Sequence, residues 1–293
     1  MTTPTATESS ESASTWSPAK VGAVSYLNTL PLIEGLGKLG DVELTLTAPS
    51  RLIDLLLGED VELALASIID YQRSPEPLEL VPAGIIGCDG PTMTVRIFSR
   101  RPIDEIETLH ADVDSHTSVS LAKIVLHERS GALPQIVDFD VDEHRSERGE
   151  SVADADWPES VLIIGDKVIT DSPPAALYPH QLDLGEAWKD LTGLPFVYAT
   201  WMCRAGAVEA GRLQTIARVL DRQRRHNATR MDWIIGQRAS LRGWPLDTAR
   251  TYLGKLLRYE MTDRHRQAVD EFFDRCGALG IIEKRKPTRW ASV

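Results

Sequence analysis

The stretch Val21-Gly-Ala-Val-Ser-Tyr-Leu-Asn-Thr-Leu-Pro-Leu32 decides the fold, because a short apolar run ends abruptly in polar side chains. Its first four residues are typical of a buried strand, and Ser25, Tyr26 and Asn28 follow where a parallel strand would open into its first loop. Pro31 suits the first turn of a helix, where the amide it lacks would be unpaired. The pattern predicts either a ligand site at the carboxyl end of a strand or an ordinary capped turn between a strand and a helix.

Length and charge limit the classes of protein that fit. A chain of 293 residues exceeds the usual size of one domain, so two lobes are expected, although one large α/β domain also fits. The net charge of −11 argues against nucleic acid or an acidic membrane as a partner, because both would require a basic face. An anionic small molecule would therefore have to be held by local hydrogen-bond donors.

The cysteines and the N-terminal segment bear on the compartment. Cys88, Cys203 and Cys276 show neither CxxC spacing nor a nearby pair of histidines, which disfavours disulfides and zinc and indicates a reducing compartment. Residues 1–19 are rich in Thr, Ser, Ala and Glu and lack the pattern of a secretory signal, so we predict a disordered tail. No stretch approaches the ~20 apolar residues that a membrane span needs. We expect a cytoplasmic protein.

A second junction between a strand and a helix begins near Asp112. Ser115, Thr117 and Ser118, together with His116, fall in the first turn of the helix that follows. One capping side chain is enough for a helix, so the additional hydroxyls favour oxyanion binding by hydroxyls and free amides over capping alone.

Three more polar positions follow predicted strands. Ser67 either caps the next helix or contacts a ligand, and Asp166, after Gly165, either caps its helix or faces the cleft. Asp89-Gly90-Pro91 has the chemistry of a tight turn and separates the first set of strands from the strand that follows Thr94.

The order of these elements predicts two α/β lobes that enclose a ligand cleft. Lobe I is expected to be discontinuous and to comprise residues 20–95 and 202–293, with residues 96–201 inserted as lobe II. A return strand is predicted at Phe196–Met202, and the C-terminal part is predicted to be helical, in segments near residues 208–226, 229–239, 246–257 and 263–276.

Five segments of the chain form an ordered set of motifs: Ser25–Leu32, Asp89–Pro91 with the strand Val95–Ser99, Ser115–Ser118, Ile164–Asp166 and Asp183–Val197. In sequence and order they resemble the motifs of chorismate dehydratases, enzymes of the futalosine pathway of menaquinone biosynthesis. The resemblance runs from about Val21 to Ile282, and five motifs in order are far more specific than any one of them.

The resemblance implies a two-lobed fold like that of type II periplasmic binding proteins, with mixed sheets flanked by helices and no metal or organic cofactor. It implies elimination of water from chorismate to form 3-[(1-carboxyvinyl)oxy]benzoate. Two positions depart from the family pattern: an Arg often stands where this chain has His116, and a Ser where it has Thr94. The hydroxyl survives at Thr94, whereas His116 changes the donor geometry and makes the charge depend on pH.

On this basis we expect Asn28 and Thr94 to be catalytic. The residues expected to bind substrate are Ser25, Tyr26, Ser67, Asp89, Gly90, Ser115, His116, Thr117, Ser118, Gly165, Asp166 and Phe196. The enolpyruvyl carboxylate of the substrate is a candidate base, oriented by Asn28. Two alternatives remain: the related enzyme of the pathway that forms 1,4-dihydroxy-6-naphthoate, and a protein that binds a small anion without changing it.

Overall fold

The computed structural model describes residues 17–148 and 157–293, which form two β-sheets flanked by helices. The first sheet has six strands in the order β11-β4-β10-β3-β1-β2. These strands are β1 (Ala19–Val24), β2 (Val42–Thr47), β3 (Leu63–Ser67), β4 (Leu78–Cys88), β10 (Phe196–Arg204) and β11 (Leu257–Arg258). β1 is parallel to β2 and β3, whereas β10 is antiparallel to both β3 and β4.

The second sheet has five strands in the order β7-β6-β8-β5-β9. They are β5 (Val95–Ser99), β6 (Thr108–Asp112), β7 (Gln135–Phe139), β8 (Ser160–Ile164) and β9 (His180–Asp183). β6 is parallel to β7 and β8, and β5 is antiparallel to β8 and β9. β8 is buried at every position, and its apolar run Val161–Ile164 fits a strand whose two faces are both covered.

Helices cover the sheets and supply most of the C-terminal part. They are α1 (Leu30–Ile33), α2 (Leu52–Leu57), α3 (Asp70–Arg73), α4 (His116–Ser130), α5 (Val141–Arg148), α6 (Lys167–Thr170), α7 (Leu184–Thr192), α8 (Ala210–Ala228), α9 (Met231–Arg238), α10 (Leu246–Thr251) and α11 (Asp263–Ala278). α8 buries Leu213, Ile216, Ala217 and Leu220, the spacing of an amphipathic helix. The predicted helix at 246–257 is divided, because a π-helical segment at Tyr252–Leu256 follows α10.

The chain passes from the first sheet to the second between Cys88 and Val95 and returns between Asp183 and Phe196. The predicted boundary of lobe II at residue 201 is therefore wrong in one respect: β10 pairs with β3 and β4, so residues 196–201 belong to the first sheet. An aromatic-rich strand pattern shows that a strand is buried, but it does not show which sheet supplies its hydrogen-bond partners.

The predicted tail at residues 1–19 lies mostly outside the described residues, and β1 already includes Ala19. Among the helices of residues 17–148 and 157–293, none combines the length and the apolar character that crossing a membrane requires.

Candidate functional site

A cavity lies between the two sheets and receives side chains from both. From the first sheet and the elements around it come Tyr26, Asn28, Ser67, Tyr198 and Tyr252; from the loops and helices around the second sheet come Thr94, Asp114, Ser115, Thr117, Ser118 and Gly165. Most of the polar side chains that line this cavity carry hydroxyl groups, and the rest of the lining is largely apolar. Eight of the fourteen residues expected from the sequence as catalytic or substrate-binding thus line one cavity: Asn28, Thr94, Tyr26, Ser67, Ser115, Thr117, Ser118 and Gly165.

Thr94 and Asn28 meet at the hydroxyl of Tyr252. Thr94 Oγ1 lies 2.6 Å from the Tyr252 hydroxyl oxygen, and both residues are almost fully buried. Burial raises the pKa of Tyr252, while hydrogen bonding from the side chains of Thr94 and Asn28 acts in the opposite direction. Tyr252 stacks on Trp244, with ring centroids 4.9 Å apart, and it opens the π-helical segment, a local irregularity that often occurs at functional sites.

The loop that carries Thr94 is held by Asp183, the residue that caps α7. The Asp183 carboxylate accepts hydrogen bonds from the amides of Thr92 at 2.9 Å and Met93 at 2.6 Å, besides those of the first turn of α7. Met93 has a φ of +72°, a left-handed conformation that costs free energy for a residue with a side chain. Asp183 therefore stabilises the strained turn that directs Thr94 into the cavity.

The N-terminus of α4 faces the cavity with a donor that is not committed elsewhere. Ser115 precedes the helix and is 3% exposed, but its side chain makes no capping hydrogen bond. Ser115 Oγ has no hydrogen-bond partner among the residues that the structure describes. The first amides of a helix also lack partners within the helix, so this end of the cavity offers several donors to an anion. The sequence predicted more hydroxyl donors here than capping needs, and Ser115 Oγ is such a donor at the cavity.

Two other hydroxyl residues of the cavity, Thr117 and Ser67, are placed differently from Ser115. Thr117 Oγ1 donates to the carbonyl of Tyr198 at 3.1 Å and accepts from the amide of Ile69 at 3.4 Å, so it joins α4 to the first sheet. Ser67 is the last residue of β3 and lies three residues before Asp70, where α3 begins, so it does not cap that helix; Ile69 is the residue that flanks it.

Tyr26 reaches across the cavity to a buried charge cluster. Its hydroxyl donates to Asp114 Oδ2 at 3.2 Å, and Ser50 donates to Asp114 Oδ1 at 3.1 Å. Lys167 Nζ lies 2.9 Å from Asp112 Oδ1 and 3.1 Å from Asp114 Oδ2. Burial, and then the charge of Asp114, raise the pKa of Tyr26; for Lys167 burial opposes the charged form, but the two carboxylates raise its pKa nonetheless.

Gly165 allows the close approach of Tyr26 to the second sheet. It has a φ of +66°, and a Cβ atom there would lie 2.7 Å from the Tyr26 ring. Glycine is therefore required at this position both by its conformation and by the packing of the ring.

Six residues expected to bind substrate do not line the cavity: Ser25, Asp89, Gly90, His116, Asp166 and Phe196. Ser25 is exposed, and its carbonyl accepts from Arg242 at 3.5 Å. Asp89 pairs with Lys189 at 2.5 Å, and Gly90 belongs to the same turn, where its carbonyl packs against Gly185. Phe196 is 1% exposed and packs edge to face on the rings of Trp188, Tyr198 and Phe272.

His116 and Asp166 form contacts between the two lobes instead. His116 Nδ1 lies 2.8 Å from Asp70 Oδ1, and this hydrogen bond raises the pKa of the imidazole against the effect of burial. Asp166 does not cap α6; its two carboxylate oxygens lie 3.2 and 3.1 Å from the Leu27 amide. Burial raises the pKa of Asp166 to about 6, while the hydrogen bond from Leu27 acts in the opposite direction.

Sequence reasoning missed Tyr198, Tyr252 and the pairing of Asp114 with Lys167. Tyr198 lies within a strand recognised as aromatic-rich, which signalled burial but not the direction of the side chain. Tyr252 is 158 residues from Thr94 and falls in a pattern typical of an amphipathic helix, so no local signal connects the two. Among residues 17–148 and 157–293, no group of three or more His, Cys, Asp or Glu residues is arranged to hold a metal ion.

Comparison with known proteins identifies both a family and a fold. Residues 19–278 match the family model described as "Menaquinone biosynthesis". The chain is 30% identical over 201 residues to a chorismate dehydratase of Thermus thermophilus, an alignment that covers 64% of this chain and 70% of that protein.

Two solved structures share the architecture at low sequence identity. The alkanesulfonate-binding protein of Xanthomonas axonopodis pv. citri has a TM-score of 0.65 and 13% identity, covering 92% of this chain and 95% of its own. A Candida albicans protein described as having the generic periplasmic binding protein fold has a TM-score of 0.59 and 13% identity, with 92% of both chains covered. The predicted two-lobed fold like that of periplasmic binding proteins is confirmed.

Proposed function

The chain belongs to the menaquinone biosynthesis family, and on that premise we propose that it is a chorismate dehydratase. It eliminates water from chorismate and forms 3-[(1-carboxyvinyl)oxy]benzoate. The observation that carries this proposal is that Asn28, Thr94 and the N-terminus of α4 with its uncommitted Ser115 hydroxyl share one cavity between the lobes.

The reaction requires two bonds of the chorismate ring to break. The C–H bond breaks at the ring carbon that carries the enolpyruvyl ether, and its electron pair is delocalised through the adjacent ring double bond onto the ring carboxylate. As that pair returns to form the new ring double bond, the C–O bond to the neighbouring hydroxyl breaks, and the hydroxide takes up the abstracted proton and leaves as water. Aromatisation drives the reaction, and the ring carboxylate carries negative charge that develops in between, so donors to that carboxylate stabilise the transition state.

The cavity supplies donors suited to a substrate with two carboxylates. Ser115 Oγ and the first amides of α4 would hold one carboxylate, because the helix N-terminus adds a favourable dipole to its hydrogen bonds. Thr94, whose hydroxyl is aligned by Tyr252, would donate to the ring carboxylate from the opposite side. No Lys, Arg or His is among the described residues that line this cavity, so neutral donors do this work.

The enolpyruvyl carboxylate of the substrate would serve as the base. Asp114 is the one carboxylate side chain among the described lining residues, and Tyr26, Ser50 and Lys167 already occupy its oxygens. A carboxylate whose oxygens already accept from three donors is poorly placed to take a proton from the substrate. Asn28 would orient the enolpyruvyl group of the substrate, which makes the proton transfer intramolecular and avoids the entropic cost of recruiting a separate base.

Substrate entry would require the lobes to separate. Tyr26 bonded to Asp114, and the Leu27 amide bonded to Asp166, join the loop after β1 to the second lobe. Closure of such contacts over a bound substrate would exclude water from the reacting carbons and bring donors of both lobes onto one dianion.

The decisive experiment is incubation of the purified protein with chorismate. We expect a product lighter than chorismate by one water, with the ultraviolet absorbance of a benzoate ring and a vinylic signal retained by NMR. Tight binding of chorismate without conversion would instead identify a binding protein, and conversion only of a cyclised futalosine would identify the enzyme that forms 1,4-dihydroxy-6-naphthoate.

A further inference from the structure

The charged group nearest to the cavity has the wrong sign for an anionic substrate. Asp114 is the only charged side chain among the described residues that line the cavity, and the proposed substrate carries two negative charges. We propose that Lys167, which lies behind Asp114, is a positioning residue that neutralises this carboxylate and thereby allows the cavity to accept a dianion. This inference rests on the proposed function.

The contacts of Lys167 support an electrostatic role. Its side chain is 7% exposed, and its ammonium group lies 2.9 Å from Asp112 Oδ1 and 3.1 Å from Asp114 Oδ2. Asp142 approaches to 3.6 Å, but its side chain is 59% exposed and therefore screened by water. Lys167 thus holds two carboxylates, one fully buried and one facing the cavity.

Lys167 could serve folding through Asp112 or ligand binding through Asp114, and the positions of the two carboxylates allow these roles to be tested separately. Asp112 does not line the cavity, and its Oδ2 has no hydrogen-bond partner among the described residues, so its pairing with Lys167 bears on folding. Asp114 lines the cavity and accepts hydrogen bonds from Tyr26 and Ser50 of the other lobe, so its pairing bears on the ligand and on closure. The structure therefore predicts that stability depends on Asp112 and that substrate affinity depends on Asp114.

Compensation for Asp114 has to come from behind the cavity wall. The lining contains no cationic side chain among the described residues, and the chain as a whole carries a net charge of −11. Without Lys167, an ionised Asp114 would face the carboxylates of the substrate in a partly desolvated site, where like charges repel far more strongly than in water.

The test compares Lys167→Met with two double variants, Lys167→Met/Asp114→Asn and Lys167→Met/Asp112→Asn. KM and kcat for chorismate, chorismate affinity by calorimetry and the melting temperature are measured for each. We expect Lys167→Met to raise KM and weaken affinity by about tenfold or more, with a smaller change in kcat, and to lower the melting temperature.

The double variants then distinguish electrostatics from folding. Lys167→Met/Asp114→Asn is expected to recover most of the affinity, because the uncompensated charge at the cavity is gone. Lys167→Met/Asp112→Asn is expected to recover melting temperature but not affinity. If affinity instead follows melting temperature through the three variants, or if Lys167→Met binds chorismate like the parent, the proposed role of Lys167 is wrong.

These outcomes are separable from a failure of the proposed function. A parent protein that converts chorismate, with affinity unchanged by Lys167→Met, would refute only the inference. A parent that binds chorismate without converting it, and whose affinity changes as described, would refute only the function. A parent that neither binds nor converts chorismate would refute both.

Discussion

At the scale of single residues, the hydroxyl of Thr94 is the group on which the proposed chemistry depends most directly. Its Oγ1 lies 2.6 Å from the Tyr252 hydroxyl, inside the cavity. We predict that Thr94→Val, which keeps the shape and removes the hydroxyl, lowers kcat by on the order of 10²–10³, the loss typical for an oxyanion donor. Steady-state kinetics and melting temperatures of the same preparations test this.

Thr94→Ser is the matched control, because it keeps the hydroxyl and removes only a methyl group. Thr94→Ser should retain turnover within about tenfold of the parent, because the hydroxyl that stabilises the transition state is still present. Parental kcat in Thr94→Val, accompanied by a large fall in melting temperature, would show that the Thr94 hydroxyl serves folding and not catalysis.

At the scale of elements, the start of α7 supports the loop that presents Thr94, and Gly185 makes this contact possible. A Cβ atom at Gly185 would lie 2.3 Å from Thr92 Oγ1 and 2.6 Å from the Gly90 carbonyl oxygen. We predict that Gly185→Ala destabilises the fold by about 1–3 kcal/mol through overpacking, and that it lowers activity because the loop must move. Chemical denaturation and turnover measurements check both effects.

Gly236→Ala in α9 is the control for that substitution. No atom of the described residues lies within 4 Å of a Cβ atom added there, and the position is exposed within a helix. This variant should gain about 0.5–1 kcal/mol, because alanine loses less conformational freedom in a helix than glycine does. Equal responses of the two variants would contradict the steric explanation.

At the scale of the whole molecule, the contact between Asp166 and the Leu27 amide links the two lobes and depends on pH. The pKa of Asp166 is raised by burial to about 6, from the ordinary 3.8, so ionisation of this carboxyl opposes the folded, closed form. The resulting loss of stability develops as pH rises from 3.8 to about 6 and is complete above that range. We predict that Asp166→Asn raises the melting temperature at pH 8 and has little effect near pH 4.

Asp89→Asn should lower the melting temperature at pH 8, the opposite of the change expected for Asp166→Asn. The hydrogen bond from Lys189 lowers the pKa of Asp89, so its ionised form stabilises the fold above the ordinary pKa and this contribution is lost as pH falls. The loss of stability in Asp89→Asn should stay below about 1 kcal/mol, because the side chains of Asp89 and Lys189 are about one-third exposed.

A gain of stability in Asp166→Asn that is the same at pH 4 and pH 8 would contradict the proposed titration of Asp166.

Local sequence patterns were sufficient for the fold class and for the two polar junctions. Alternation between apolar strands and amphipathic helices indicates two α/β lobes, because the period of the apolar residues reflects which face of each element is buried. The hydroxyl-rich segments at Ser25–Asn28 and Ser115–Ser118 stand out because they exceed what capping needs. Both segments contribute residues to the cavity, through Tyr26 and Asn28 from the first and Ser115, Thr117 and Ser118 from the second.

Only the tertiary structure decided which polar side chains face the ligand and which join the lobes. Ser25 and Tyr26 are neighbours in a polar loop, yet Ser25 is exposed and Tyr26 lies against Asp114 in the cavity. The pairing of Thr94 with Tyr252, and of Lys167 with Asp112 and Asp114, depends on how the strands and helices pack in space. Sequence by itself determined which segments are buried and polar, because burial is a local pattern; side-chain direction and charge pairing are not local, because they depend on partners brought close only by folding.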